Sequence, residues 1–449
     1  MDRAGNKVTG TGGKKVTVST LGCKSNQYDS SALEDMLKEG GYSVVDFPGP
    51  ADACVINTCT VTGRTDYQSR QLIRRVRRLN PEAVVIVTGC YAQVSPDEVK
   101  AIDGVDYIVG NPEKGRILEY LLKGRRQSPF VAAGRWEDGT PFALRAKTSG
   151  GRTRANFKVQ EGCNRACSYC IIPRARGAGK SLPPGDIFRE LDSLVERGYK
   201  EIILTGIHLG AWGADLTPPL GLTGLLRLIE DKGYPCRFRI SSLDPDEVTD
   251  GLIGLLKGSR SVCNHLHIAL QSGDDGILRK MKRPYTAALF RERVVKAFES
   301  VEDVSIGVDV IAGFPGEGDK EFENTFSVIN DLPLSYLHIF PFSVRRGTDA
   351  GGYAAQVPAK MIKERCARLK ALDEEKREAF YGRFTGRSVE VLVENARDRK
   401  TNLLKGRARN YIPVLFEGNG ALANTIAGVR LETFTPGGMR GMAEKEGVS

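Results

Sequence analysis

The sequence predicts an α/β protein in three parts: an open parallel α/β sheet, then a partial (βα)6 barrel, then a small β-barrel. Three patterns lead there. Strand-like runs alternate with helical patterns through the first third, six more strand candidates separated by helical patterns fill the middle, and the last segment breaks into short strands between Gly and Asn turns. The length of 449 residues suits two to four domains at roughly 100 to 200 residues each.

Residues 1–14 are polar and Gly-rich, lack the apolar core of a signal peptide, and read as a disordered tail. In 15–145, apolar runs at 16–21, 54–58 and 84–88 precede helical patterns at 30–38, 67–78 and 96–102, the strand–helix alternation of a parallel sheet. Apart from short stretches such as 130–133, residues 123–153 show little apolar periodicity, which sets a boundary near Ala146. In 146–380, strands are expected at 157–159, 201–204, 237–241, 265–270, 305–311 and 336–340, with helices such as 186–197 and 290–299 between them. The active site of such a barrel lies at the carboxyl ends of its strands. A charged helix over 361–383 leads into 381–449, where strands at 388–394, 405–409, 412–416 and 423–431 fit a barrel of the oligonucleotide-binding kind.

Hydrophobic residues at 41% and charged residues at 27% exclude disorder and collagen-like structure and allow a full core without disulfides. The net charge of +10 favours a polyanionic partner, nucleic acid first, against the plainer reading of a charge that aids solubility. No run approaches the roughly 20 apolar residues of a bilayer span, so no membrane partner and a cytoplasmic location are expected. Ten cysteines in such a chain read as metal ligands, catalytic groups or buried small residues.

Their spacing carries the chemistry. Cys163, Cys167 and Cys170 form a C-x3-C-x2-C array directly after the first strand of the middle segment. Thiolates are soft ligands suited to iron–sulfur clusters, and three rather than four leave one iron open for substrate or cofactor. Zinc is the competing reading, but zinc arrays pair such a group with further Cys or His ligands, and none follows. Cys23, Cys59 and Cys90 each follow one of the first three strands. Strand ends in an open parallel sheet converge on a ligand crevice, so a second three-thiol site is predicted. The alternative is burial as small hydrophobes, which suits Cys54; Cys236, Cys263 and Cys366 lack partners at ligand spacing.

With Tyr169 before its last cysteine, the C-x3-C-x-aromatic-C array resembles the radical S-adenosylmethionine (SAM) family. With the three N-terminal cysteine motifs and the C-terminal barrel, nearly the whole chain after residue 14 resembles the methylthiotransferases, whose last domain is the RNA-binding TRAM barrel. Gly22-Cys23-Lys24-x-Asn26-Gln27-Tyr28 and Cys170-Ile171-Ile172-Pro173 resemble the branch acting on N6-threonylcarbamoyladenosine beside the tRNA anticodon. Sister branches act on isopentenyladenosine in tRNA or on an aspartate of a ribosomal protein. Ser25, where the family usually has an apolar residue, and a proline-poor run at 341–349 depart from the pattern.

The resemblance implies two 4Fe-4S clusters, one SAM-bound on Cys163, Cys167 and Cys170 and one auxiliary on Cys23, Cys59 and Cys90. SAM would serve as methyl donor and as source of a 5′-deoxyadenosyl radical, needed because the C2–H bond of adenine is neither acidic nor joined to a leaving group. An anticodon stem-loop substrate, an external electron donor such as a flavodoxin or ferredoxin, and a sulfur donor complete the expected partners. Tyr169, Thr205, Gly206, Ser241, Gln271 and Phe314, around strand ends or the cluster loop, are the expected SAM contacts, against ordinary turn duty. Arg174 and Arg176 are open to SAM or substrate. Arg70, Arg74 and Arg78, with Arg75 and Arg77, give a predicted helix an arginine face for phosphate, against a solvated face. Arg407 and Arg409 beside Tyr411 are expected at RNA, the ring stacking on a base. His208, His265 and His267 read as core or hydrogen-bonded residues. A reading from another class, a non-catalytic iron–sulfur RNA-binding regulator, does not explain why both cysteine sets lack a fourth thiol.

Overall fold

A computed structural model describes residues 13–134, 136, 144–146 and 153–444; most of the expected tail and the sequence around the expected boundary at Ala146 lie outside them. The described chain forms two compact units. One holds the residues up to 146 with 156–165 and 170–180, the other 153–155, 166–169 and 181–444.

The first unit carries β1 (Lys15–Thr20), α1 (Lys24–Glu39), β2 (Ser43–Val44), β3 (Ala53–Thr58), α2 (Gly63–Leu79), β4 (Val84–Gly89), α3 (Cys90–Val94), α4 (Pro96–Lys100), β5 (Tyr107–Val109), α5 (Ile117–Leu122) and β6 (Phe130–Ala132). Its sheet runs β2-β1-β3-β4-β5-β6, parallel throughout. Every residue of β3 is buried, as a central parallel strand covered on both faces requires. β2 and β5 escape the sequence reading because two or three residues show no period. α1 begins at Lys24, earlier than expected, since its first turns bury Ser25, Asn26, Asp29, Ser30 and Ser31 in place of an apolar stripe. α2 starts on a reciprocal cap between Thr62 and Thr65.

Next come β7 (Ala155–Lys158), β8 (Gln160–Glu161), α6 (Ile172–Arg176) and β9 (Lys180–Ser181). The second unit continues with α7 (Pro184–Glu196), β10 (Glu201–Thr205), α8 (Gly221–Lys232), β11 (Arg237–Ile240), α9 (Asp250–Gly258), β12 (His265–Gln271), α10 (Asp275–Lys280), α11 (Ala287–Ser300), β13 (Ser305–Ala312), α12 (Asp319–Asp331), β14 (Tyr336–Pro341) and α13 (Ala359–Gly382). β10 and β11 pair in parallel, as do β12, β13 and β14, and single bridges at Phe238–Val262 and Leu243–Ile268 join β11 to the β12 side. Strand–helix repetition therefore places the ends of β10 to β14 on one rim.

The last strands, β15 (Ser388–Val393), β16 (Leu404–Ala408), β17 (Pro413–Glu417), β18 (Ile426–Thr435) and β19 (Gly438–Ala443), close a barrel in the order β15-β16-β17-β19-β18. β19 was not expected. Its Gly-Met-Arg-Gly-Met-Ala sequence has weak strand propensity, and pairing with β17 and β18 on either side creates it.

Candidate active site

In the first unit the ends of β1, β3 and β4 bring three cysteines together. Cys23 is the N-cap of α1, Cys59 follows β3, and Cys90 opens α3 straight after β4. Side-chain amides bind these turns to one another. Asn26 Nδ2 donates to the carbonyls of Leu21 at 2.7 Å and Thr58 at 2.9 Å, Asn57 Nδ2 donates to the Asn26 carbonyl at 2.9 Å, and Thr58 Oγ1 donates to the Thr88 carbonyl at 2.6 Å. Gly22 has φ +107°, and a Cβ there would stand 2.7 Å from Cys59 Sγ, so only glycine lets the Cys23 turn come so close to that thiol. Burial, with the neighbouring Cys90 and Cys23 thiols, pushes Cys59 up to about 12. Cys59 is in electrostatic contact with both other thiols, and with Cys59 and Cys90 buried and Cys23 exposed the three form a soft donor set that fits an iron–sulfur cluster.

The second array begins in the same unit. Gly162 adopts φ +70°, where a Cβ would fall 1.9 Å from the Ala178 carbonyl oxygen. The Cys163 amide donates to the Gly177 carbonyl at 3.0 Å, Asn164 Oδ1 accepts from Gly179 N–H at 2.8 Å, and the Arg165 amide donates to Cys163 Sγ at 3.4 Å. Cys170 leads into Ile171 and α6.

Within the second unit, Ser168 is held by its amide on the Met281 carbonyl at 3.1 Å and its hydroxyl on the Lys280 carbonyl at 2.7 Å, which sets Cys167 and Tyr169 on either side. The Tyr169 ring meets Phe314 edge-on at 6.3 Å, and the Arg283 guanidinium lies 5.9 Å from its centroid. Arg283 Nη1 donates to both carboxylate oxygens of Asp244, at 2.9 and 3.0 Å. Burial opposes the Arg283 charge, but Tyr169, Tyr285, Asp244 and Cys167 hold it well above the ordinary value. His208 pairs with Glu247 at 2.5 Å.

Thr205 ends β10, Ser241 follows β11, Gln271 ends β12 and Phe314 follows β13, so the structure puts these sequence-chosen residues and Gly206 at the carboxyl ends of parallel strands. Gln271 has φ +63°, a left-handed conformation that costs a residue carrying a Cβ roughly 1–2 kcal/mol and often marks a functional position. Sequence reasoning missed Arg283, Asp244 and Glu247; as single charged residues beside turns they carry no spacing signal.

The arginines divide. Arg74, Arg75 and Arg78 are exposed on α2, whereas Arg70 donates to Tyr91 Oη at 2.9 Å and Glu98 at 3.3 Å, and Arg77 to the Ala83 carbonyl at 3.0 Å. The residues expected at RNA in the C-terminal barrel are half-buried and already engaged: Tyr411 lies against His265, Tyr336, Arg239 and Arg407. Arg409 donates to the carbonyls of Ser259, Arg260 and Val262, and Arg407 to that of Tyr411. Arg174 is exposed, and Arg176 is buried in the first unit. His265 and His267 bond to Tyr336 Oη at 2.8 and 3.0 Å, and His267 to Asp309 at 2.8 Å, the hydrogen-bonded roles expected of them.

Residues 15–110 match the profile described as Uncharacterized protein family UPF0004, and 157–329 that of the Radical SAM superfamily. The chain is 39% identical over 93% of its length, and 93% of the relative's, to "Threonylcarbamoyladenosine tRNA methylthiotransferase MtaB" of Bacillus subtilis. The chain belongs to the radical SAM methylthiotransferase family. This methylthiotransferase is also 38% identical to the Aquifex aeolicus MtaB, over 90% of the chain and 97% of the relative. It is 32% identical to the "tRNA-2-methylthio-N(6)-dimethylallyladenosine synthase" of Syntrophobacter fumaroxidans, over 92% of each. In fold it is similar to the radical SAM methyltransferase TsrM of Kitasatospora setae, with TM-score 0.56 at 16% identity over 75% of each chain. It is a radical SAM enzyme that transfers sulfur-containing groups.

Proposed function

We infer that the chain inserts a methylthio group at C2 of N6-threonylcarbamoyladenosine next to the anticodon of tRNA. The identity to MtaB enzymes over nine-tenths of the chain supports the substrate, and the meeting of Cys23, Cys59 and Cys90 at three strand ends carries the chemistry. Cys163, Cys167 and Cys170 would hold the SAM-bound cluster, and Cys23, Cys59 and Cys90 the auxiliary one. When bound, these groups supply the 5′-deoxyadenosyl radical and the methylthio sulfur.

The protein's own part is position and shelter. Thr205, Gly206, Ser241 and Gln271 offer polar side chains and turn amides to SAM along one rim of the barrel. Tyr169 and the buried Phe314 make the apolar side that keeps water from it. Arg283, fixed by Asp244, sets the Tyr169 ring. Exposed Arg74 and Arg78 on α2 are suited to tRNA phosphates, with Arg70 at their edge. A cytoplasmic setting, a flavodoxin- or ferredoxin-type electron donor and a separate sulfur donor belong to the same reading.

Mass spectrometry of tRNA nucleosides from a deletion strain tests it. The methylthio derivative of threonylcarbamoyladenosine should vanish and return with the intact gene. Loss of the isopentenyladenosine derivative instead would transfer the enzyme to the sister branch, and no change in either nucleoside would overturn the reading.

A further inference from the structure

Arg176 stands six residues past Cys170, as the last residue of α6. It is 1% exposed, with its whole guanidinium inside the first unit. Nη1 donates to Asp29 Oδ2 at 2.9 Å and to Glu161 at 3.0 and 3.1 Å, and Nη2 to Asn26 Oδ1. Its third nitrogen, Nε, points its N–H at Cys90 Sγ, 3.3 Å away. Asn111 Nδ2 lies 3.8 Å from the same sulfur and donates at 2.7 Å to the Ala175 carbonyl, so one amide joins α6 to the thiol.

Two further cations belong to this group. Lys114 Nζ lies 2.6 Å from Asp29 Oδ2, and Lys158 Nζ lies 2.5 Å from Asp29 Oδ1 and also bonds Glu161. All five side chains are buried. Two carboxylates stand against three cations, so the group carries one positive charge in excess, in surroundings where an uncompensated charge is costly. The Cys90 sulfur is the acceptor that faces the excess. A thiolate there would balance it, and ligation to iron keeps a thiol deprotonated.

We propose that Arg176 is a positioning residue for the auxiliary cluster: its Nε–H donates a charge-assisted hydrogen bond to the Cys90 thiolate, fixing that ligand and raising the cluster's reduction potential. Hydrogen bonds and positive charge at a cluster's sulfurs favour its reduced, more negative form. Neither motif contains Arg176, and the proposal rests on Cys90 being a cluster ligand.

The test uses full-length protein with Cys163, Cys167 and Cys170 all changed to Ala, so that only the auxiliary cluster can assemble, reconstituted anaerobically. Iron per chain, folding by circular dichroism, and midpoint by EPR-monitored titration are read for this parent, for Arg176→Lys and for Glu161→Gln. Lysine keeps the charge for Asp29 and Glu161 but has no Nε donor. The expected result is a midpoint more negative by at least a tenfold change in the reduced-to-oxidised ratio, about 59 mV for one electron. Glu161→Gln removes a carboxylate that competes for Arg176 and should move the midpoint the other way. Opposite signs are what a purely structural role would not produce. If Arg176→Lys does not fold, the sign of the Glu161→Gln shift decides alone, a positive shift supporting the proposal. Unchanged midpoints, or shifts of one sign, overturn it. A parent without iron overturns the ligand reading itself, and the proposal with it.

Discussion

Two buried charge clusters, one in each unit, look alike and end differently. Around Arg176, an excess of positive charge is directed at a sulfur. Around Glu201, which begins β10, the single carboxylate takes Arg237 at 2.6 Å and Arg239 at 3.0 Å, again leaving cations in excess. Here the spare donors go to backbone: Arg237 Nη2 to the Arg407 carbonyl at 2.7 Å and Arg239 Nη1 to the Arg409 carbonyl at 3.0 Å. Those carbonyls belong to the end of β16 and the residue just past it, so the second cluster fastens the small barrel to the amino-terminal ends of β10 and β11. Burial pushes the thiol of Cys263, also near Arg239, up from its ordinary value. The acceptor that receives the surplus separates the two: carbonyl dipoles serve the fold, and a thiolate serves a ligand.

The largest effect should come from removing the sulfur. Cys90→Ala is expected to abolish methylthio insertion and lose the auxiliary iron, while 5′-deoxyadenosine formation continues. In the metal-free chain it should also destabilise the first unit by about 1–3 kcal/mol, because a buried charged donor loses its acceptor. Retained insertion in this variant would remove the distinction between the clusters. Glu201→Gln is the matching change in the second unit. It should leave the iron content unaltered and cost about 3–5 kcal/mol in denaturant unfolding, the usual result of breaking a buried pair from one side. Desolvation works against the Glu201 carboxylate, but Arg239 and Arg237 hold it well below the usual carboxylate range. Its stabilising contribution is therefore complete above the ordinary glutamate pKa and is lost as pH falls through the depressed value of the folded state. The variant should accordingly show a weaker loss of stability on acidification.

The same contrast explains what could be read in the sequence. The convergence of Cys23, Cys59 and Cys90 was legible because strand ends are local features, and the parallel sheet because 54–58 and 84–88 are continuous apolar runs. The Arg176 group was not. Asp29 and Arg176 are 147 residues apart, and although Arg176 reads in the sequence as a SAM or substrate contact, nothing there ties it to Asp29. The early start of α1 was hidden for a related reason: its buried face is polar, built for the turns that carry Cys23 and Cys59. Tyr411 and Arg409 stood out because an aromatic among arginines has the composition of an RNA surface; the sequence does not show that the ring packs on His265 and Tyr336 or that the guanidinium bonds backbone carbonyls.

That last contrast, between bonded and unbonded arginines, yields the smallest and most discriminating prediction. Arg74 and Arg78 are one turn apart on the exposed side of α2, free of the carbonyl and carboxylate bonds that occupy Arg77 and Arg70. A phosphate-contacting arginine releases about one counterion, so its loss weakens binding to all sequences alike and lowers the salt dependence by about one unit of slope. Arg74→Gln with Arg78→Gln should thus reduce tRNA affinity several-fold and flatten the plot of log affinity against log salt, with stability within about 0.5 kcal/mol of the parent. Arg409→Gln should do the reverse: it removes a charged donor from the Ser259, Arg260 and Val262 carbonyls. The expected cost is about 1.5–3 kcal/mol of stability, with the salt slope unchanged. Fluorescence anisotropy across a salt series, with urea unfolding in parallel, separates the two. An altered slope for Arg409→Gln with stability intact would return that residue to the RNA surface.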